Sequence, residues 1–284
     1  MGQGTGVSQY LKYGTGGSAD TYAGRVVGGS WDGDSQGDWF GSAGGSGRPG
    51  WGIAKLGGSA QIEVANATLL SYFTRRSFTN PSLQALTFEG AYANPTGAGW
   101  TQTSCYLSTI EVGLSVSAPL TATIGWEATD EAAAGSYSAP TASASMWQWY
   151  HGQCTLNGAT YYLQSMRMSA SNNLEAWSSV ETKSSNQWRL PTGFRVGKQD
   201  VSLSCEMYST PSTSLWNIHE DVPISNAGAV IKTTDGAHTL TFTLANLLVK
   251  THRMPFEGED GAVLYSLEMA GDPWASDTLT IAYS

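Results

Sequence analysis

The sequence predicts a mainly β fold: an antiparallel β-sandwich or barrel with about one flanking α-helix and an extended Gly-rich N-terminal arm. Three observations carry the prediction. From Gly57 onward, apolar residues return at every second position in run after run, the period of a half-buried strand. Only one short window has helical spacing. The first 58 residues are instead dominated by glycine, with Trp31, Trp39, Phe40 and Trp51 set in and around GGSWDGDSQGDWFGSAGGSGRPGWG.

Residues 1–58 therefore read as a segment of their own. A plain flexible linker carries few large aromatics, so the stretch is expected to be an arm that orders when its aromatics find pockets on its own domain or on a neighbour. The alternative is a long irregular loop packed on its own domain. Residues 59–284 are read as the β domain. Ile62 and Val64 open a strand, and Asn66 caps a short helix that brings Leu69, Leu70 and Phe73 to one face before Thr74-Arg75-Arg76.

Strand-like alternation continues from Leu83 to Tyr92, then through the long ribbon STIEVGLSVSAPLTATIGWEAT, Ser108 to Thr129. Ala118-Pro119 divides that ribbon into two strands, because proline donates no ladder hydrogen bond. Residues 129–145 are small and low in complexity and read as a connection. Asn157-Gly158 between β-formers marks a hairpin. The strand after it is expected to show Tyr162, Met166 and Met168 on one face, with Tyr161, Ser165 and Arg167 on the other. Alternation returns at Val201 to Met207, Leu240 to Leu244, Val263 to Met269 and Leu279 to Tyr283, for about ten strands in all. CYLSTIEVGLSVSAPLTATIGWEAT and YYLQSMRMSASNNLEAWSSVETK share a weak pattern, which admits an internal duplication of 59–135 and 146–284.

Composition excludes several classes. A chain of 284 residues that is 40% hydrophobic can bury a substantial core, while only 13% of its residues are charged. The net charge of −9 opposes a broad surface for nucleic-acid phosphates. With no apolar leader and no run of roughly 18–20 apolar residues, the chain reads as a soluble intracellular product without membrane insertion. Cys105, Cys154 and Cys205 are an odd, widely spaced set and read as reduced core residues. Asn66-Ala67-Thr68 matches a glycosylation sequon by chance.

The search for chemistry returns little. His151, His219, His238 and His252 are scattered without zinc spacing, and no GxSxG elbow or phosphate-binding glycine loop is present. Glu63, Glu89, Glu111, Glu127, Glu175 and Glu206 lie on strand-like segments, where they read as solvated outward residues rather than a glycosidase pair. Asp32-Gly33-Asp34-Ser35-Gln36-Gly37-Asp38 starts like a calcium loop but has Ala43 at the closing ligand position. Phe256 to Gly261 reads as an exposed acidic turn. No catalytic residue, metal or cofactor is expected.

The order of the pieces carries a resemblance instead. A Gly-rich N-terminus leads into GGSAQIEVANATLLSYFTRR, then CYLSTIEVGLSVSAPL, GQCTLNGATYYLQSMRMSASNNLEAW and TLTFTLANLLVKTHRMPFEGEDGAVLYSLEMAG. Over residues 57–284 this resembles the tail tube (major tail) proteins of long-tailed bacteriophages. The resemblance implies a structural, non-enzymatic virion protein of the tail, assembled in the host cytoplasm. It implies stacked rings of six chains, or pseudo-hexameric rings of three duplicated chains, around a lumen that DNA crosses during ejection. Tape measure, tail terminator and distal tail proteins are the implied partners.

Physical reasoning adds residues to that expectation. A DNA conduit should present small polar and acidic groups that do not hold phosphates. Thr109, Glu111, Ser115, Thr121, Thr123 and Glu127 are therefore expected to line the pore, with Ile110, Val112, Leu114, Ile124 and Trp126 facing the core. Trp31, Trp39, Phe40 and Trp51 are the candidates for contacts between subunits. A rival reading is an aromatic-rich glycan-binding, decoration or fibre module, in which Trp and Tyr act as stacking platforms.

Overall fold

The computed structural model describes residues 9–34, 37–40, 48–51, 55–74, 83–91, 99–134, 147, 152–156, 159–178, 190–208, 229–234, 237–253, 264–272 and 278–284. The first half of the chain runs through β1 (Gln9–Gly14), β2 (Thr21–Asp34), β3 (Gly37–Phe40), β4 (Arg48–Trp51), β5 (Lys55–Val64), α1 (Thr68–Ser71), β6 (Leu86–Ala91), β7 (Gly99–Ser115), β8 (Thr121–Ala128) and β9 (Asp130–Ala134). The second half runs through β10 (Gln153–Leu156), β11 (Ala159–Ser171), β12 (Leu174–Trp177), β13 (Gly193–Val196), β14 (Asp200–Tyr208), β15 (Ala229–Thr234), β16 (Thr239–Leu244), β17 (Leu247–Arg253), β18 (Leu264–Gly271) and β19 (Leu279–Tyr283).

In the first half, β7-β6-β1-β2-β5-β8 close back on β7 as a six-stranded antiparallel barrel. Closure removes the exposed sheet edges that invite aggregation. Ile62, Leu70, Phe88, Val112 and Ile124 are among the side chains that fill the interior, and Phe88 packs on Trp126 with ring centroids 4.6 Å apart. The second half stacks β11-β14-β18-β17 on β10-β15-β16-β19. Cys154 of β10 and Cys205 of β14 meet thiol to thiol across the two layers.

The N-terminal region corrects the arm reading. Residues 9–14 and 21–34 are barrel strands, paired to β6 and β5, and a boundary at residue 58 falls inside β5. Alternation fails as a guide here because glycine supplies backbone hydrogen bonds without an apolar face. Beyond Asp34 and Lys55, pairing resumes between β3 and β4, with Gly37 opposite Trp51 and Phe40 opposite Arg48. What remains of the arm is the β3–β4 hairpin. Among the described residues there are nineteen strands where about ten were expected, with β9 inside the supposed connection, paired along β7.

Two β-bulges in β7 set its faces. The ladder shifts register on either side of Ser104, which has φ 49°, and again between Leu107 and Thr109. Each extra residue re-phases the strand, so Gln102, Cys105, Leu107 and Ile110 all stay buried although their spacing is not a multiple of two. A third bulge, between Leu163 and Ser165 of β11, corrects the expectation for Tyr162. Tyr161 and Leu163 share the core face with Met166 and Met168, and Tyr162 is exposed. The helix is as expected in place: Leu69, Leu70 and Phe73 are fully buried, and the Asn66 side chain accepts a 2.9 Å hydrogen bond from the Thr68 N–H. The expected hairpins are present too, β7–β8 around Ala118-Pro119 and β10–β11 with Leu156 opposite Ala159.

The halves repeat one order of connections. In each, a short strand leads to a hairpin with an insertion at its tip (β2–β5 carrying β3–β4, and β11–β14 carrying β12–β13). A second hairpin then docks on the first (β7–β8 on β5, and β17–β18 on β14). Equivalent positions even carry the same pair: the hydroxyls of Ser30 and Ser59 lie 3.1 Å apart, and those of Ser169 and Ser202 lie 2.7 Å apart. The weak sequence echo sets β7–β8 beside β11 and β12, whereas the order of connections sets β7–β8 beside β17–β18. Both inserted hairpins leave from the same end of the sheet, where Leu56 faces Ala128 and Ser171 faces Asp200.

Candidate functional site

Pairing of β7 with β11 joins the halves into one sheet, β2-β5-β8-β7-β11-β14-β18-β17, every neighbour antiparallel. One face packs on the two cores: Ile110, Val112, Leu114, Ile124 and Trp126 are all buried, as alternation requires. The opposite face is open. It carries Thr109, Ser115 and Thr123 exposed, with Glu111, Thr121 and Glu127 half-buried.

Register extends this face across the sheet. One transverse row runs Gln61, Thr123, Glu111, Ser169 and Ser202. The next runs Glu63, Thr121, Gly113, Arg167, Ser204 and Glu268. Strand after strand thus presents serine or threonine where a soluble surface usually presents lysine or glutamate. The face is concave, with one shallow depression around Glu111, Ser169 and Ser202 and another around Thr121, Arg167 and Glu206.

Several of the charges on it are paired. Arg167 Nη2 lies 2.9 Å from Glu111, and Arg25 pairs with Glu63. Ser165 donates to Glu206 at 3.0 Å, and Thr251 donates to Glu268 at 2.7 Å. Neighbouring carboxylates hold both guanidiniums further toward the protonated form. Burial pushes the Glu127 carboxyl up, an effect that Lys55 partly offsets. Acidic residues outnumber basic ones on the face, and no group on it is arranged as a nucleophile with its base.

Sequence reasoning found the β7–β8 part of this face and missed the contribution of β11 and β14, Ser165, Arg167, Ser169, Ser202 and Ser204. Their alternation with Met166, Met168, Val201, Leu203 and Cys205 was visible; that β11 lies beside β7 was not. Trp31 sits in β2 opposite Gly58, Trp39 and Phe40 in β3, and Trp51 in β4. The four positions thus fall in β2 and in the β3–β4 hairpin. Among the described residues, no cluster of His, Cys, Asp and Glu could hold a metal, and no helix is long and apolar enough to cross a membrane.

The family described as phage tail tube protein matches residues 4–271. The chain belongs to that family. No curated protein matches the sequence. Membership makes the chain a structural, non-enzymatic component of the virion tail that self-assembles into the tail tube. A tail tube protein works by shape and surface, which accounts for a sheet face without reactive groups.

Proposed function

We propose that the concave face is the lumen wall of the tube, and that Thr109, Glu111, Ser115, Thr121, Thr123 and Glu127 line it together with the serines of β11 and β14. The observation that carries this reading is the single eight-stranded sheet, continuous across both halves, with one face on the cores and the other covered by small hydroxyls. Hydroxyls and carboxylates dominate the face, and Arg25 and Arg167 are paired with Glu63 and Glu111, so the genome slides through during ejection without being held. Because each chain contributes two repeats of four strands, three chains make a pseudo-hexameric ring, and rings stack into the tube. The β3–β4 ribbon, with Trp39, Phe40 and Trp51, and Trp31 at its base, reaches the neighbouring ring. Tape measure, terminator and distal tail proteins are the further partners, and the tube is built in the host cytoplasm.

Electron microscopy of the purified protein is the test. Hollow tubes of stacked rings are expected, with three chains per ring by mass; monomers under every condition would overturn the reading.

A further inference from the structure

We propose that Cys154 and Cys205 are a latent cross-link, two thiols while the chain is in a reducing compartment and one cystine once it meets an oxidant such as a small-molecule disulfide. The cystine would tie together the two layers of the second half. Strand pairing brings the two cysteines to one core. β11 pairs with β10 over residues 159–162 and with β14 over residues 163–171, so it turns the corner between the layers beside its bulge at Leu163 and Ser165. Cys154 stands opposite Tyr161 and Cys205 opposite Met166. Cross-strand neighbours share a face of the sheet, and all four side chains are buried.

The two thiols hydrogen bond to each other. From such a contact the sulfurs need approach by only about 2 Å to reach the disulfide bond length, a distance within the reach of side-chain rotation. Cys105 supplies the contrast. It is as deeply buried, in the barrel of the first half, but its thiol donates to the Gln102 carbonyl at 3.3 Å. Packing alone explains a small apolar side chain in a core. It does not call for two sulfurs in contact across two layers.

The chemistry is two exchanges. One thiol loses its proton and attacks the small disulfide, forming a mixed disulfide and releasing a small thiolate that takes up the proton. The second thiol loses its proton and attacks the protein sulfur of the mixed disulfide, releasing the other small thiol. The protein gives up two electrons and two protons, and the small disulfide becomes two thiols. The hydrogen bond from its partner and burial both hold the Cys154 thiol toward its protonated form, and only a thiolate attacks. Exchange is therefore slow in the closed core and waits on opening of the layers. For a virion protein the two compartments are the host interior and the surroundings of the released particle. That change of compartment rests on the cytoplasmic assembly proposed for the tube; the chemistry of the pair does not.

The experiment takes the purified, unassembled chain with excess oxidised glutathione, at a pH of about 8.5, near the ordinary thiol pKa, in urea below the unfolding transition. The protein is then denatured, alkylated with iodoacetamide and mapped by peptide mass. Expected are a fall of about 2 Da before alkylation, alkylation at Cys105 alone, and one peptide pair joined through Cys154 and Cys205. The guanidinium midpoint of the oxidised chain should rise and return with dithiothreitol, since the bond constrains the unfolded chain. Cys205→Ala should form no cystine. Three alkylated cysteines, a glutathione adduct on Cys154 or Cys205 that does not close, or a link through Cys105 would each overturn the pair. A cystine that leaves the midpoint unchanged would overturn its role as a tie between the layers. Every readout is taken before assembly, so a missing cross-link leaves the tube reading standing, and missing tubes leave the cross-link standing.

Discussion

Asn172 shows how much a single side chain can hold. It is fully buried, and its Nδ2 donates 3.0 Å hydrogen bonds to the carbonyls of Phe73, at the end of the helix, and Leu107, in β7. Its Oδ1 accepts from Gln199 at 3.3 Å. A residue of the second half thereby satisfies two carbonyls of the first. Asn172→Leu keeps the volume and strands those carbonyls, so a loss of about 1–3 kcal/mol is expected in urea unfolding of the subunit. Glu127 makes a second prediction, about pH. Its carboxyl is raised in the folded chain, first by burial, so the stability it contributes is full below its unfolded value and is lost as pH rises through the folded one. Glu127→Gln should therefore be at least as stable as the parent at neutral pH and less dependent on pH above about 4. Unfolding free energies measured from acid to neutral pH check this, and a parent that gains on the variant as pH rises would contradict it. Neither prediction could come from the sequence. Asn172 reads there as one of two asparagines in a turn, and Glu127 as one outward carboxylate among many.

Elements were legible where an apolar stripe marks them. The pairs Ile110/Val112 and Leu203/Cys205 announce their strands, and Leu69, Leu70 and Phe73 announce the helix, because burial demands a period. β2 gives no such signal: in TYAGRVVGGSWDGD the glycines replace the side chains whose spacing would be read, yet the backbone pairs from Gly24 to Asp34. Bulges were equally silent, since a one-residue insertion leaves composition untouched while moving Tyr162 to the other face. Recognising β2 as a barrel strand changes what the hairpin can be asked to show. Removing residues 1–50 would delete two barrel staves and unfold the first half. Replacing only residues 36–53 with a short turn should instead leave the subunit folded, with unchanged circular dichroism and melting temperature within about 2–4 °C. Tubes grown from that variant should be shorter and dissociate at lower denaturant; tubes of unchanged stability would show the ribbon to be peripheral.

For the molecule as a whole, the order of segments along the chain was enough to suggest its family. Which strands lie side by side was not, because β7 and β11 are separated by the whole β8–β10 region and meet only in space. The concave face follows from that pairing, and so does its test. Glu111→Lys breaks an ion pair between side chains that are 40% and 70% exposed, worth about 0–1 kcal/mol. Folding and tube assembly should survive, while phage carrying the substitution should eject DNA more slowly as two cations, the new lysine and the released Arg167, meet the phosphates in every copy. Ejection at the parental rate would place this face outside the lumen.

The two inserted hairpins, β3–β4 and β12–β13, leave the sheet from the same end, and the opposite end carries the tight turn around Pro119. A ring of such subunits has unlike top and bottom surfaces. The polymer therefore has a direction, with two ends that differ chemically at every stage of growth. Initiation and termination can then be assigned to different proteins without either one having to sense length: each needs only to fit one kind of end.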